Sequence, residues 1–246
     1  MPILKDKDMT QHRIQGSSYG FSAKRVDHLG ASEYTLVVIA ADVSGSVAPF
    51  RDQIEACVKE IVRSCRHSPR ADNLMLRLAI FDSKVTEKHG FRPLTECDLD
   101  RYDGSIKVGG LTALVDGAHN AVESAVRYGK DLTAHDFDVN AIVFVISDGA
   151  DNSSVLTPQD VRGALEGAVT NETVESMLSV LVGVNVAEPD LAGYLRDFKD
   201  EAGFSEYVEL EHADAKTLAR LATFVSRSIS AQSQALGSGA SAALTF

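Results

Sequence analysis

The segment Thr35-Leu36-Val37-Val38-Ile39-Ala40-Ala41 is a continuous apolar and β-branched run with no alternation of polar residues. A strand with one wet face alternates. A strand that reads as continuous is covered on both faces, and that kind of burial belongs to the middle of a parallel sheet. A second run of the same kind, Ala141-Ile142-Val143-Phe144-Val145-Ile146, recurs in the second half of the chain.

Helical patterns separate the strands. Val47, Phe50, Ile54, Cys57, Val58, Ile61, Val62 and Cys65 form one apolar stripe at helical spacing. Residues 113–127 read as a helix. Thr157-Pro158-Gln159-Asp160 opens another, with Thr157 as cap and Pro158 at the first position. A helix over 189–202 is closed by Gly203, and Asp214 caps a last one reaching about Ser230. Further strands fall at 74–81, 84–91, 178–184 and 207–210. The short Asp82-Ser83 link predicts a hairpin that leaves the polar 84–91 strand at the sheet edge. Strands alternating with helices make right-handed βαβ units. The expected fold class is α/β: a three-layer, doubly wound, mostly parallel sheet with one antiparallel edge strand. Residues 1–33 read as an arm, 34–230 as the domain, and 231–246 as a Ser/Gly/Ala-rich tail. Within that tail, Leu244 and Phe246 are expected to pack on the domain or on a neighbouring copy.

The 24 Lys+Arg stand against 35 Asp+Glu, a formal net charge of −11, with no basic run to override it. Nucleic acid needs a clustered positive surface, so it is excluded as the main partner. No apolar stretch approaches the roughly 20 residues of a membrane span, and the first residues are too charged for a signal peptide. Cys57, Cys65 and Cys97 lack any C-x-x-C spacing and read as reduced thiols, so the expected location is cytoplasmic.

In doubly wound sheets ligands bind where strands end. After the first apolar run comes Asp42-Val43-Ser44-Gly45-Ser46, and after the other comes Ser147-Asp148-Gly149. Between them Gly109-Gly110-Leu111-Thr112 softens a loop that puts Thr112 at a helix start. Asp42, Ser44, Ser46, Thr112 and Asp148 are hard oxygen donors, which select Mg²⁺, Mn²⁺ or Ca²⁺ over zinc or copper. Taken alone, Asp42-x-Ser44-x-Ser46 reads equally as a helix cap. Asp151 and Asn152 read as loop-shaping residues, and the seven histidines show no ligand spacing.

This constellation, together with the strand and helix order from about Tyr34 to Ser230, resembles the von Willebrand factor A domain and its metal-ion-dependent adhesion site. The resemblance implies one Mg²⁺ (or Mn²⁺ or Ca²⁺) per chain, with Ser44 and Ser46 as direct ligands. Asp42 and Asp148 would hold the ligands and bound water, and Thr112 would be the switchable ligand. It implies a binding module rather than an enzyme, with the open metal position taken by a partner's Asp or Glu. Val47-Ala48-Pro49-Phe50 lacks the acidic pair of the adjacent second site in integrin-like relatives, so a single metal is expected. Tyr19-Gly20-Phe21-Ser22 and the 29–35 junction are similar to intracellular bacterial members linked to tellurium resistance and stress operons. Those relatives act as adaptors beside AAA+ ATPases, kinases or phosphatases.

Other function classes fit less well. A haloacid-dehalogenase-like phosphohydrolase also places an Asp after its first strand, but it needs a second acid where this chain has Ser44. No G-x-G-x-x-G follows the first strand, and no G-x-S-x-G surrounds either serine. A scaffold with a vestigial site is the third alternative.

Overall fold

Successive residues of the 35–41 run face opposite cores. Leu36, Val38 and Ala40 join one buried cluster, and Val37, Ile39 and Ala41 join the other. The run lacks alternation because neither face meets water.

The computed structural model describes residues 8–14, 16–104, 106–171, 173–185, 189–210 and 214–235. The strands are β1 (Met9–Arg13), β2 (Gly20–Lys24), β3 (Glu33–Asp42), β4 (Leu74–Phe81), β5 (Val85–Pro93), β6 (Asp138–Ser147), β7 (Ser176–Val184) and β8 (Glu206–Leu210). The helices are α1 (Arg51–Arg66), α2 (Leu114–Thr133), α3 (Pro158–Thr170), α4 (Pro189–Ala202) and α5 (Ala215–Ala235). One sheet runs in the order β1-β2-β5-β4-β3-β6-β7-β8. The pairs β4–β3, β3–β6, β6–β7 and β7–β8 are parallel, whereas β4–β5 and β1–β2 are antiparallel. Helices α1 and α5 pack together on one face, and α2, α3 and α4 on the other. The fold is the expected α/β class, of the von Willebrand factor A and Rossmann-like type. The chain leaves β3 toward β4 on one side and reaches β6 on the other, so the switch point lies at the carboxyl end of β3.

Three local expectations are corrected. The 84–91 strand is not the edge: β2 lies beside β5, and β1 beyond it. Much of the stretch read as an arm is therefore sheet. Phe21 and Ala23 are buried, Phe21 meets Phe91 edge-on at 6.0 Å, and Tyr128 Oη donates to the Lys24 carbonyl at 2.9 Å. A buried ion pair fastens this extension. Arg77 Nε donates to Glu87 Oε2 at 2.9 Å, and the Ser22 amide donates to the same carboxylate at 3.0 Å.

The stripe from Val47 to Cys65 is also not one helix. Gly45–Phe50 forms a 3-10 turn containing Pro49, and the α-helix starts at Arg51. Lastly, α5 continues to Ala235, so residues 231–235 are helical rather than tail. Gln232 is buried there, and its carbonyl accepts from Asn140 Nδ2 at 2.5 Å. The expected docking of Leu244 and Phe246 lies outside the described residues. All three cysteines are buried thiols, and no helix among the described residues is long and apolar enough to cross a membrane.

Candidate metal centre

The carboxyl end of β3 delivers Asp42, fully buried, and the chain turns there under its control. Asp42 Oδ1 accepts the Ser44 amide at 2.8 Å, and Oδ2 accepts the Ser147 hydroxyl at 2.6 Å. Ser44 sits at the N-cap of the 3-10 turn, yet its side chain makes no capping bond. Its hydroxyl instead lies 3.0 Å from Ser46 Oγ. The helix-cap reading of the serines therefore loses its main support, because the hydroxyl points at the site rather than at the helix amides.

The other loops close on this turn. Ser46 Oγ donates to Asp148 Oδ1 at 3.1 Å. A Cβ built on Gly149 would stand 3.4 Å from Ser46 Oγ and 3.8 Å from Thr112 Oγ1, so Thr112 borders the same spot. Backbone bonds fix the loops to each other: Gly45 N to Gly110 O at 3.0 Å, Gly109 N to Val43 O at 2.9 Å, and Ala113 N to Asp82 O at 2.8 Å. Gly110 takes φ +85°, and a Cβ there would come within 2.9 Å of Ser83 Oγ, so glycine is needed on both counts. Of the expected pair, Gly109 has no positive φ and open space around it.

The five residues singled out in the sequence, Asp42, Ser44, Ser46, Thr112 and Asp148, are thus gathered at one end of the sheet. One positioning residue, Ser147, was not singled out, and Asn152, read as loop-shaping, holds a site residue from its loop. Ser147 orients Asp42, and Asn152 Oδ1 accepts the Thr112 amide at 2.8 Å. Ser147 ends β6 and Asn152 lies in the loop after it, but only the partner loops reveal what they hold. Asp151 shapes its loop: Oδ2 accepts the Val115 amide at 3.0 Å, and Oδ1 accepts the Ser154 amide at 3.1 Å.

Burial pushes the Asp42 carboxyl up to about 6, against the relief given by Ser147 and Ser44. Burial raises Asp148 too, against its bond from Ser46. Neither carboxylate has a Lys, Arg or His partner among the described residues. Burying an unpaired carboxylate is costly unless it is neutralised. A divalent cation beside Ser44, Ser46 and Thr112 would neutralise both, and hydroxyl and carboxylate oxygens are the donors that hard cations take. The residues fit such an ion. Among the described residues no cluster of three or more His, Cys, Asp or Glu side chains is arranged to hold a metal by itself.

No family model matches the sequence, and no curated protein matches it. Solved structures match in fold. The pilus adhesin SpaC from Lactobacillus rhamnosus GG aligns with TM-score 0.59 at 13% identity, over 79% of this chain and 30% of that one. The PilB minor pilin from Streptococcus sanguinis aligns with TM-score 0.56 at 13% identity, over 84% and 63%. Proximal thread matrix protein 1 from the mussel byssus aligns with TM-score 0.51 at 18% identity, over 80% and 46%. The chain therefore spans less than two thirds of each of these longer proteins, and the likeness is one of fold.

Proposed function

We propose that the chain is a metal-dependent protein-binding module of the von Willebrand factor A type, an adaptor and not an enzyme. Ser44 and Ser46 would hold one Mg²⁺, Mn²⁺ or Ca²⁺ directly, with Thr112 alongside and Asp42 and Asp148 orienting the hydroxyls and water. A partner's Asp or Glu carboxylate would complete the shell. The observation that carries this reading is the pair of buried carboxylates without a basic partner, facing two hydroxyls 3.0 Å apart. Where mostly neutral hydroxyls touch a divalent ion, its charge stays under-compensated and attracts an anion from outside.

A phosphohydrolase reading gains nothing from the geometry. A nucleophilic aspartate of that kind works with a second acid two residues later, and that position holds Ser44, whose hydroxyl lies 3.0 Å from Ser46 Oγ. The similarity of 19–22 and 29–35 to intracellular bacterial relatives supports a cytoplasmic adaptor whose partner is an ATPase, kinase or phosphatase.

Titration calorimetry with MgCl₂ tests the reading. One site is expected, and it is lost in the Ser44→Ala, Ser46→Ala double variant. Two bound equivalents, or unchanged binding in that variant, would overturn it. Mg²⁺-dependent turnover of a phosphate ester, lost in Asp42→Asn, would replace it with the hydrolase.

A further inference from the structure

The two outer strands of the sheet, β1 and β8, are guarded differently. β8 carries Glu206 and Glu209, and acidic side chains along an edge repel a second copy of it. β1, Met9-Thr10-Gln11-His12-Arg13, holds no acid, no lysine and no proline, and its register against β2 is unbroken by any bulge.

The ladder shows which backbone groups β1 leaves open. The Arg25 amide donates to the Asp8 carbonyl at 2.9 Å, and the Ile14 amide to the Tyr19 carbonyl at 3.3 Å. In an antiparallel pair only alternate residues exchange bonds with the neighbour. Asp8, Thr10, His12 and Ile14 therefore spend their backbone groups on β2, and the amides and carbonyls of Met9, Gln11 and Arg13 point away from the sheet. No turn or loop bond among the described residues takes these groups up, and Gln11 and Arg13 are exposed. The side chains sort in the same way. His12 stacks on Phe21 at 4.7 Å, and its Nδ1 lies 3.3 Å from Asp131 Oδ2 of α2, so its face of β1 is occupied. Met9, Gln11 and Arg13 share the other face.

An open row of alternating donors and acceptors is a template for one more strand. A second β1 matches it residue for residue. With a twofold axis at Gln11, Gln11 faces its own copy and Met9 faces Arg13, so every open group of both strands is used. Each Arg13 lies across from a methionine rather than from another arginine, and each Gln11 amide offers its copy both a donor and an acceptor.

We propose that β1 pairs antiparallel with β1 of a second copy of this chain, making a twofold dimer with one continuous sheet. β2, β5 and β4 separate β1 from β3, so the axis lies away from the candidate metal centre and the dimer carries two such centres. The inference does not depend on the metal.

Sedimentation velocity of the full chain over a concentration series tests it, in EDTA and in Mg²⁺. Reversible dimers are expected in both, and added NaCl should tighten them by screening the net charge of −11 on each copy. Gln11→Pro removes the amide at the axis and spares the β1–β2 bonds, because that amide points outward. It is expected to remain monomeric where the parent is dimeric, with unchanged amide exchange in β2. Gln11→Cys provides a second test. Facing residues of a bonded antiparallel pair have Cα atoms about 5.5 Å apart, within disulfide reach. Oxidised glutathione should link Gln11→Cys into covalent dimers, whereas Arg13→Cys should link only when mixed with Met9→Cys. The chain's own cysteines are buried. A parent that stays monomeric at every concentration overturns the proposal, as does a Gln11→Pro variant that dimerises like the parent. Self-linking of Arg13→Cys in preference to Gln11→Cys overturns the axis at Gln11.

Discussion

The Ser147 hydroxyl donates to Asp42 Oδ2 at 2.6 Å, joining the carboxyl ends of the adjacent central strands β3 and β6. The bond occupies one carboxylate oxygen while the other holds the Ser44 amide, and the Ser44 and Ser46 hydroxyls lie 3.0 Å apart beside Asp148. It also keeps a charge in a place that costs stability unless something positive arrives, and a pH experiment reads that cost.

Burial holds the folded Asp42 carboxyl up at about 6, well above the 3.8 of an ordinary aspartate. The folded state then binds a proton more tightly than the unfolded chain, so stability falls as pH rises from about 4 to about 6. In EDTA at pH 7, Asp42→Asn is expected to be more stable than the parent by up to about 3 kcal/mol. The gap should close as the pH approaches 4, and Mg²⁺ should reverse the order at pH 7. Urea unfolding of the two proteins checks this, and a variant that is less stable in EDTA at both pH values contradicts it.

His89 gives the opposite slope. Its Nε2 lies 2.9 Å from Tyr102 Oη, and burial chiefly, with Arg92 and Arg77 adding, holds it down to about 4. The unfolded chain takes up that proton near 6.5, so stability is fully present above that pH and is lost as the pH falls toward 4. The loss attributable to His89 is about 3 kcal/mol. Unfolding free energies of His89→Gln from pH 7 to pH 4 should show a flatter acid limb than the parent.

Arg77 is fully buried and bonds Glu87, Ser124 and Asn120. Arg77→Met removes the countercharge from Glu87, and the expected cost is roughly 3 kcal/mol. Adding Glu87→Gln should recover part of it, which a double-mutant cycle by urea unfolding measures. Amides of β1 and β2 should exchange faster in the single variant, because Glu87 is what holds Ser22.

Gly117 lies in the first turns of α2, where a Cβ would stand 2.6 Å from the Phe81 ring. Gly117→Ala should destabilise by about 1–3 kcal/mol through overpacking, despite the better helix propensity of alanine. Combining it with Phe81→Leu should give a smaller loss than the sum of the two single changes. Thermal unfolding of the three variants tests it, and additive losses argue against the clash.

The sequence alone determined the strands and helices that make the layers. Burial on both faces leaves a local mark, as in 35–41 and 141–146, and a cap such as Thr157 or a stop such as Gly203 acts within a turn of itself. It also supplied the order of Asp42, Ser44, Ser46, Thr112 and Asp148, because ligand-facing residues follow strand ends. Tertiary structure decided what depends on distant partners. β1 and β2 are five residues each and largely polar, too short to announce that they cover β5. Arg77 looks misplaced in an apolar strand until Glu87, Asn120 and Ser124 surround it. The end of α5 is held by Asn140 and Ser176, whose contacts with Gln232 no helical periodicity records. Periodicity reports the average surroundings of a short segment. Which side chains meet across tens of residues is set by packing the layers together.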